Sequence, residues 1–406
     1  MTGQDTHTDV PYLDIASPAF AMNSEEVRDA RERSWYAKTN YGYGILRYKE
    51  VTELLKHPSL NQGSAKWPEH HGVHTGIFYE WWAKNLLVLE GDEHHRIRRL
   101  LNPAFSPAVA RRLEPEFADI ANELIAEMKA LHAAGEEVDF VAAFSEPFAT
   151  RALCAMMGLD HKHWKFIASR ANTVGYALSV SIKEDIEAID EAVKELYDFV
   201  DELIEERRAH PGEDVVSRLV QFSQADDKLT TEELRNALVL MLFGGMDTTR
   251  NQIGLLLQTF MRNPEQWELL AADPAKYAKP ALEEGLRVNP TTRWVTREAN
   301  EDFEFKGLQI ANGTTVHLFT MSSGTDPEAY PDPDIDLNAT DRKQHHTFGG
   351  GVHHCLGHYI ARADMSVALP LLAQAFTDIT CPGGDEWLPD SGNHGPVKLP
   401  ITFSVR

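Results

Sequence analysis

The chain has 406 residues, 43% of them hydrophobic, and carries a formal net charge of −23. Its length and apolar content are sufficient for a large buried core. The excess of 62 acidic over 39 basic residues argues against nucleic acid or an anionic membrane as the main partner. Three cysteines in a chain of this length do not make a disulfide framework, so a reducing cytoplasm is expected.

The N-terminal segment is polar and threonine-rich and contains no apolar leader. No stretch reaches about 18 uninterrupted apolar residues, the length that a membrane-spanning helix requires. No repeat, low-complexity run or shift in composition divides the chain. We therefore expect one cytoplasmic, monomeric domain over residues 1–406, with residues 1–11 flexible.

Helix and strand signals alternate near the N-terminus. Ser24, followed by two glutamates, predicts the capped start of a first helix. Residues 44–48 predict a strand, and residues 49–57 predict a short amphipathic helix. The early chain therefore predicts a mixture of both element types.

Residues 61–85 are rich in glycine, histidine and tryptophan and show no sustained period. A connection of this length without regular structure is usually a functional loop or a disordered one. Its aromatic residues, Phe78 and Trp82 among them, argue against disorder. Core packing under a loop explains any one of these aromatic side chains equally well.

A strongly charged helix is predicted around residues 90–105. His94 and Arg98 are four residues apart and therefore share one face of it. Charged runs of this kind are most often solvated faces. Residues 107–222 then predict a series of helices, of which residues 186–208 form a long and highly charged one.

A capping-box pattern at residues 230–233 predicts the start of a long helix that ends at about residue 261. Its centre contains Gly244 and Gly245, each of which costs about 1 kcal/mol relative to alanine within a helix. The two glycines allow a flat group to lie against the backbone, with Asp247 and Thr248 beside it. A kink where glycines permit close helix packing is the alternative.

A further helix contains Glu284 and Arg287, which are three residues apart and so lie on one face. Strands are predicted at residues 294–297, 303–305, 308–310 and 315–318. Asn312-Gly313 predicts a tight hairpin between the last two strands.

The sequence Phe-Gly-Gly-Gly-Val-His-His-Cys-Leu-Gly occupies residues 348–357. A polar and apolar pattern at helical spacing follows, so Cys355 is predicted to lie at or just before a helix N-terminus. The free N–H groups and the dipole there favour a thiolate, which acts as a nucleophile or a metal ligand. A free cysteine elsewhere usually packs like a small hydrophobic residue.

This cysteine loop resembles the haem-binding loop of the cytochrome P450 family. Four other segments resemble that family in the same order: His-x-x-x-Arg at 94–98, Gly-Gly-x-Asp-Thr-Thr at 244–249, Glu-x-x-Arg at 284–287 and Asp-Pro-x-x-Tyr-Pro-x-Pro at 326–333. The resemblance implies the P450 fold, mainly α with a small β region. Haem b would be buried between the long helix and the helix headed by the cysteine.

The resemblance also implies a haem-thiolate monooxygenase that inserts one oxygen atom from O2 into a small or medium hydrophobic molecule. Cys355 is implied as the axial iron ligand, Asp247 and Thr248 as the oxygen-activating residues, and Glu284 and Arg287 as a structural pair. The implied haem-binding residues are Cys355, His94, Arg98, Arg297, His353, Phe348, Gly349, Gly244 and Gly357. The predicted substrate pocket comprises Phe78, Trp82, Leu242, Phe243, Met246, Thr292, Trp294 and Val295.

Two departures from the family pattern concern arginines. The arginine that normally joins the Glu–Arg pair has no unambiguous counterpart, and Arg342 is the candidate. In addition, Thr325 stands where arginine is common in the family. Apart from these departures, Arg293 lies near the predicted pocket and leaves room for an aromatic substrate that pairs with a charge.

No flavin or iron–sulfur motif is present, so the resemblance implies an external ferredoxin with its reductase as the electron donor. Its docking face is expected on the cysteine side, where basic residues cluster at Arg96, Arg99, Arg342, Lys343 and Arg362. Alternatively, these side chains balance nearby acids.

Two other functions remain open. A haem-thiolate protein that uses peroxide or catalyses an isomerisation or dehydration would need no redox partner, although the Asp247-Thr248 pair favours O2 chemistry. A non-haem protein could bind zinc through His345, His346, His353, His354 and Cys355, although adjacent histidines suit a closed tetrahedral site poorly.

Overall fold

The structure, a computed structural model, describes residues 10–178, 182–223, 229–390 and 392–406. Most of the segment 1–11, which was expected to be flexible, therefore lies outside the described residues. Pro11, at its end, is buried, and its carbonyl accepts a hydrogen bond of 2.8 Å from the Lys38 N–H. The end of this segment is thus attached to the fold.

Helices dominate the described part of the chain. They are α1 (Glu25–Arg33), α2 (Tyr48–Leu54), α3 (Trp67–His70), α4 (Ile77–Trp82), α5 (Gly91–Leu101), α6 (Pro107–Ala133), α7 (Glu146–Met157), α8 (Trp164–Gly175), α9 (Ile182–Ala209), α10 (Val215–Phe222), α11 (Thr231–Met261), α12 (Pro264–Ala272), α13 (Pro274–Val288), α14 (Thr320–Gly324) and α15 (His358–Ala375). Short 3₁₀ turns cover Asn102–Phe105, His161–His163, Tyr176–Leu178 and Gly351–His353, and a π-helical turn covers Val141–Ser145.

The strands are short. They are β1 (Tyr12–Leu13), β2 (Tyr36–Thr39), β3 (Gly42–Ile45), β4 (Leu60–Gln62), β5 (Val138–Asp139), β6 (Trp294–Ala299), β7 (Phe303–Phe305), β8 (Leu308–Ile310), β9 (Thr315–Phe319), β10 (Phe376–Thr380), β11 (Glu386–Trp387), β12 (Pro396–Lys398) and β13 (Pro400–Val405). The largest described sheet has the order β1-β2-β3-β9-β6-β4. The predicted fold, mainly helical with a small β region, is confirmed.

Helix α11 lies at the centre of the main hydrophobic core. Its start is fixed by the predicted capping box, in which the Thr230 hydroxyl accepts from the Glu233 N–H and the Glu233 carboxylate accepts from the Thr230 N–H. Apolar side chains cover most of its length, and they pack against α7, α8, α9, α13 and α15. This arrangement buries most of α11, but the two glycines in its middle remain accessible.

The six-stranded sheet joins the N-terminal region to residues 294–319. Strand β9 pairs in parallel with β3, with Gly42 opposite Thr315, and antiparallel with β6, with Trp294 opposite Phe319. Val316 and Leu318 point to one face of β9 and are fully buried there. The sheet therefore holds β6 beside the cysteine loop.

The hairpin predicted at Asn312-Gly313 is wrong. Gly313 does turn the chain, with a φ of 80°, but β9 pairs with β3 and β6 and not with β8. The tight hairpin joins β7 to β8 through Lys306 and Gly307, whose φ angles of 48° and 84° are both positive. Two such residues suit the right-handed twist of a two-residue hairpin.

The aromatic segment 61–85 contains regular structure, namely β4, α3 and α4, so the prediction of a long loop without elements is wrong. Phe78 and Trp82 are almost completely buried in the main core, with ring centroids 5.5 Å apart. The expectation that these aromatics are ordered is confirmed. In the described part of the chain, we find no helix with the length and hydropathy of a transmembrane segment.

Candidate functional site

The cysteine loop turns on two glycines in the left-handed region. Gly349 and Gly351 each have a φ of 68°, and a Cβ on Gly351 would lie 2.7 Å from the Leu55 carbonyl oxygen. The Cys355 N–H donates to the Phe348 carbonyl at 2.9 Å, which closes the loop. Helix α15 then begins three residues after Cys355, as the sequence predicts.

Cys355 is accessible to solvent even though protein surrounds it. The residue is exposed, yet burial by the surrounding protein raises the pKa of its thiol, partly offset by the N–H groups of Gly357 and His358. These two observations describe an accessible sulfur that protein surrounds on most sides. The two N–H groups and the N-terminus of α15 favour the thiolate that a metal ion would select.

One face of α11 borders accessible space in the middle of the core. Leu240, Gly244 and Thr248, spaced four residues apart, are partly or fully exposed, whereas most of their neighbours are buried. A Cβ on Gly244 would meet no atom within 4 Å. Nearer its C-terminus, α11 packs on α15, where Ile253 and Leu256 line a small cavity together with side chains of that helix. The accessible face therefore lies just N-terminal to the contact between the helix of the glycines and the helix of the cysteine.

Thr248 and Asp247 point in different directions. The Thr248 hydroxyl lies on the accessible face and donates to the Gly244 carbonyl at 3.0 Å. The Asp247 carboxylate is buried, and it accepts hydrogen bonds from Arg250 Nη2 at 3.1 Å and Asn393 Nδ2 at 3.3 Å. The structure thus places the hydroxyl at the site and holds the carboxylate to one side.

Four predicted haem-binding residues converge beside the cysteine loop. The rings of His94 and His353 lie 4.3 Å apart. Arg98 donates to the His354 carbonyl, and Arg297 Nη2 donates to the Gly350 carbonyl at 3.4 Å. Burial lowers the pKa of Arg297 to about 10, a value at which its guanidinium remains charged at neutral pH.

Glu90 also belongs to this group, although none of the sequence motifs includes it. His353 Nε2 lies 3.2 Å from Glu90 Oε1, and the Gln62 N–H donates to the same carboxylate. Burial would raise the pKa of Glu90, but these contacts outweigh it and lower the pKa. Its position immediately before α5 was the available signal, because helix N-termini attract acidic side chains.

The residues present fit haem. Burial, followed by the nearby His353 and Arg98, lowers the pKa of His94 to about 4, and neither ring nitrogen has a hydrogen-bond partner among the described residues. Unpartnered buried polar atoms are rare in folded proteins. Two imidazoles and two guanidiniums suit the carboxylates of a haem, and the accessible glycine face suits its flat ring. Gly357, like Gly244, would hold a Cβ free of contacts within 4 Å.

The structure brings only part of the predicted substrate pocket to this site. Thr292, Trp294 and Val295 are partly exposed, and a Cβ on Gly349 would lie 3.8 Å from Val295 Cγ2. Leu242 and Met246 are fully buried, and each lies about 160° around α11 from Gly244. The structure does not bring those two side chains to the accessible face, because they pack between helices on the opposite side.

The remaining aromatic pocket residues lie in the adjoining core. Phe243 is buried, with its ring centroid 6.2 Å from that of Trp81. Trp82 donates from its indole nitrogen to the Ser64 carbonyl at 2.9 Å. Phe78, Trp82 and Phe243 therefore belong to one buried aromatic cluster around Trp81, and their contact with a substrate stays a prediction.

Glu284 and Arg287 form a buried pair that a third residue completes. Arg287 donates to both oxygens of Glu284, at 2.7 Å and 2.6 Å. Arg342 Nη2 donates to Glu284 Oε2 at 3.2 Å, so the arginine that the sequence left ambiguous does reach the pair. Arg287 also donates to the carbonyls of Gly324, Pro333 and Asp334. The network joins α13 to the segment before the cysteine loop.

Three members of the predicted basic patch are paired with acids. Arg96 contacts Glu233, Arg342 contacts Glu284 and Arg362 contacts Glu283. Burial would raise the pKa of Glu283, but hydrogen bonds from His345 and Arg362 outweigh it and lower the pKa to about 2. Much of the patch charge is therefore balanced internally, as the alternative interpretation expected.

The zinc hypothesis is contradicted. His345 Nε2 contacts Glu283 at 3.1 Å, and the two ring nitrogens of His346 contact Ser323 and Thr52. In the described ranges no group of three or more histidine, cysteine, aspartate or glutamate side chains is arranged to hold a metal ion.

Comparisons with known proteins agree with this site. A family profile described as "Cytochrome P450" matches residues 45–405. Luteothin monooxygenase of Streptomyces thioluteus is 30% identical over 98% of this chain and 97% of its own length. Mycinamicin IV hydroxylase/epoxidase of Micromonospora griseorubida is 32% identical over 97% and 98%. The crystal structure of CalO2 superposes with a TM-score of 0.84 and 25% identity over 96% of this chain and 99% of that one.

The chain belongs to the cytochrome P450 family. It therefore has the P450 fold and is an enzyme of the monooxygenase type, whose cofactor is haem b with thiolate-ligated iron. Enzymes of this family use O2 and in general receive electrons from a redox partner. These findings confirm the family, the fold, the enzyme class and the cofactor that the sequence predicted.

Proposed function

We propose that the protein hydroxylates a small or medium hydrophobic molecule with Cys355 as the iron ligand and an external ferredoxin system as the electron donor. One observation carries the assignment of the ligand. Cys355 lies on a glycine-built loop at the head of α15 and is accessible, although the surrounding protein buries it deeply enough to raise the pKa of its thiol. Cys154 is buried and Cys381 lies near the surface of the C-terminal strands.

The chain's own residues have distinct roles in this proposal. His94, Arg98, Arg297 and His353 bind the haem carboxylates, and the glycines of α11 and of the cysteine loop admit its ring. The bound haem supplies O2 binding and reductive activation. Thr248 presents a hydroxyl to the reacting centre, and Asp247, its neighbour on α11, holds the carboxylate that can move a proton toward it.

The lining of the site supports a hydrophobic substrate. Leu240, Trp294 and Val295 offer apolar surface, and Thr248 and Thr292 add hydroxyl groups. Arg293 does not offer a cation to an acidic substrate, because it is buried and donates to Asp390 at 2.5 Å. The names of the two relatives, which refer to luteothin and to mycinamicin IV, support an organic molecule of this general kind.

The cysteine side of the molecule supports docking of an acidic ferredoxin. Lys343 and Arg99 are exposed there, and Val352 and Tyr359 add exposed apolar surface, 51% and 43% accessible. A rim of charge around an apolar centre suits a transient electron-transfer partner. Lys343→Glu should slow reduction by ferredoxin several-fold at low salt and progressively less as salt rises. A rate unchanged at every salt concentration would exclude Lys343 from the docking face.

The ligand assignment is tested by the absorption spectrum of the reduced protein under carbon monoxide. The native protein should give a strongly red-shifted Soret band, Cys355→His should give an imidazole-like band, and the matched control Cys381→Ser should keep the native spectrum. A red-shifted band that survives in Cys355→His would overturn the assignment. Product formation with reductant and O2, compared with peroxide alone, separates the monooxygenase from a peroxygenase.

A further inference from the structure

The two oxygens of Asp247 are held by different parts of the protein. Oδ1 accepts from Arg250 Nη2 at 3.1 Å and from Asn251 Nδ2 at 3.4 Å, and both donors lie on α11 itself. Oδ2 accepts from Asn393 Nδ2 at 3.3 Å, and this donor lies in the segment just before β12. One oxygen is therefore fixed to its own helix and the other to a distant segment of the chain.

Arg250 is poorly placed to release the carboxylate. Its Nη1 donates to Asn172 Oδ1 at 2.8 Å and lies 3.6 Å from Glu146 Oε2. Asn172 in turn donates to the same Glu146 oxygen at 2.7 Å. Arg250 is thus held on two sides by α7 and α8, and the charged contact with Asp247 is the stronger of the two anchors.

Asn393 belongs to the wall of the site. It forms an antiparallel bridge with Thr292, whose hydroxyl donates to Asn393 Oδ1 at 3.4 Å. The Arg293 N–H donates to the Gly392 carbonyl at 2.7 Å, and the His394 N–H donates to the Thr291 carbonyl at 2.8 Å. Residues 392–394 are therefore attached to residues 291–293, which lead into the pocket strand β6.

We propose that Asn393 is a positioning residue that couples occupancy of the substrate pocket to the freedom of Asp247. With the pocket empty, the amide holds Asp247 Oδ2 away from the reacting centre. A substrate that packs against Thr292 displaces the bridge between residues 292 and 393 and releases that oxygen for proton delivery. The hydrogen bond from Asn393 to Asp247 is long, and its donor is neutral. It is therefore weaker than the charged contact between Arg250 and Asp247, and it is the one that a substrate can break.

This inference rests on the proposed monooxygenase function, and its test uses the holoenzyme. Asn393→Leu removes the amide and keeps a side chain of similar size. Consumption of reductant without substrate should rise about fivefold in this variant, the ratio expected for loss of one neutral hydrogen bond. The factor by which substrate stimulates reductant consumption should fall to a similar extent, because the hydrogen bond that substrate would break is already absent. Asn393→Gln, which restores the amide, should recover part of the native ratio.

The decisive measurement is a double variant. If Asn393 acts through Asp247, Asn393→Leu should have no effect on consumption in an Asp247→Asn background, although both proteins keep a normal carbon monoxide spectrum. An effect of equal size in both backgrounds would overturn the proposal and leave a purely steric role in the pocket wall.

Asn251→Ala is the matched control. It removes a different donor to Asp247, one that forms no hydrogen bond with residues 291–293 in the described structure, so its substrate stimulation should stay close to native. A loss as large as that of Asn393→Leu would contradict the coupling. A native enzyme that forms no product with any electron donor would instead refute the proposed function.

Discussion

The buried network of Glu284, Arg287 and Arg342 allows a graded test of how this core is held together. Arg287 is 1% exposed and donates to two carboxylate oxygens and three backbone carbonyls. Arg342 is 19% exposed and makes one contact with Glu284, at 3.2 Å. The two arginines neutralise the same carboxylate from environments of very different accessibility.

Removing Arg287 leaves Glu284, 6% exposed, without its principal partner. Loss of one member of a buried ion pair costs about 3–5 kcal/mol, so Arg287→Ala should lower the free energy of unfolding by that amount. Removing Arg342 leaves the pair of Glu284 and Arg287 intact, and water can reach the vacated position. Arg342→Ala should therefore cost about 1 kcal/mol.

Urea unfolding of the holoprotein, followed by circular dichroism and by loss of the Soret band, measures both changes. If Arg287→Ala does not accumulate in folded form, Arg287→Lys keeps the charge but loses the bidentate geometry, and it should still cost more than Arg342→Ala. An Arg342→Ala loss equal to that of the Arg287 variants would refute the ranking.

Three further predictions concern other regions. Burial lowers the pKa of His317 to about 4, so the stability that its neutral form contributes is complete above about pH 6.5 and is lost as the pH falls toward 4. Between pH 7 and pH 5, the native protein should therefore lose about 2 kcal/mol more unfolding free energy than His317→Leu does. Equal losses in the native protein and the variant would contradict this. Gly324→Ala should lower the Tm, because its Cβ would lie 2.4 Å from a carbonyl oxygen of α13. Gly244→Ala should instead stabilise the haem-free protein by about 1 kcal/mol, because its Cβ meets no atom within 4 Å. A lower Tm for haem-free Gly244→Ala would show that the face is not accessible. Burial raises the pKa of the Cys154 thiol to about 12, so iodoacetamide at pH 8 should alkylate Cys381 in the folded protein and leave Cys154 unmodified, as peptide mass mapping can establish.

Local patterns predicted the elements that depend on neighbouring residues. The capping box of α11 and the cysteine before α15 were both readable, because caps and helix starts involve residues within a few positions. The turn at Gly313 could also be predicted, but the strands that pair with β9 could not. Pairing of β9 with β3 depends on residues far away in the sequence, and no local signal reports it.

The site was predicted less completely, for two physical reasons. Apolar residues surround α11 on nearly every side, so hydrophobicity alone could not exclude Leu242 and Met246 from the accessible face. The contacts of Arg342 and Asn393 with acids on other helices arise from irregular segments, whose path no periodicity describes. Motif resemblance could name Asp247, but only the structure shows which residues hold it.

The pairing of β3 with β9 has a consequence for biosynthesis. Gly42 in β3 pairs with Thr315 in β9, and these residues are roughly 270 positions apart in the sequence. Strand β3 therefore leaves the ribosome long before β9 does. At typical rates of about 5–20 residues per second, the N-terminal strands lack their partner for about 15–55 seconds. Their unpaired edges can bind other nascent chains during that interval. Slower initiation, lower temperature or abundant chaperones should therefore raise the soluble yield more than a stronger promoter does.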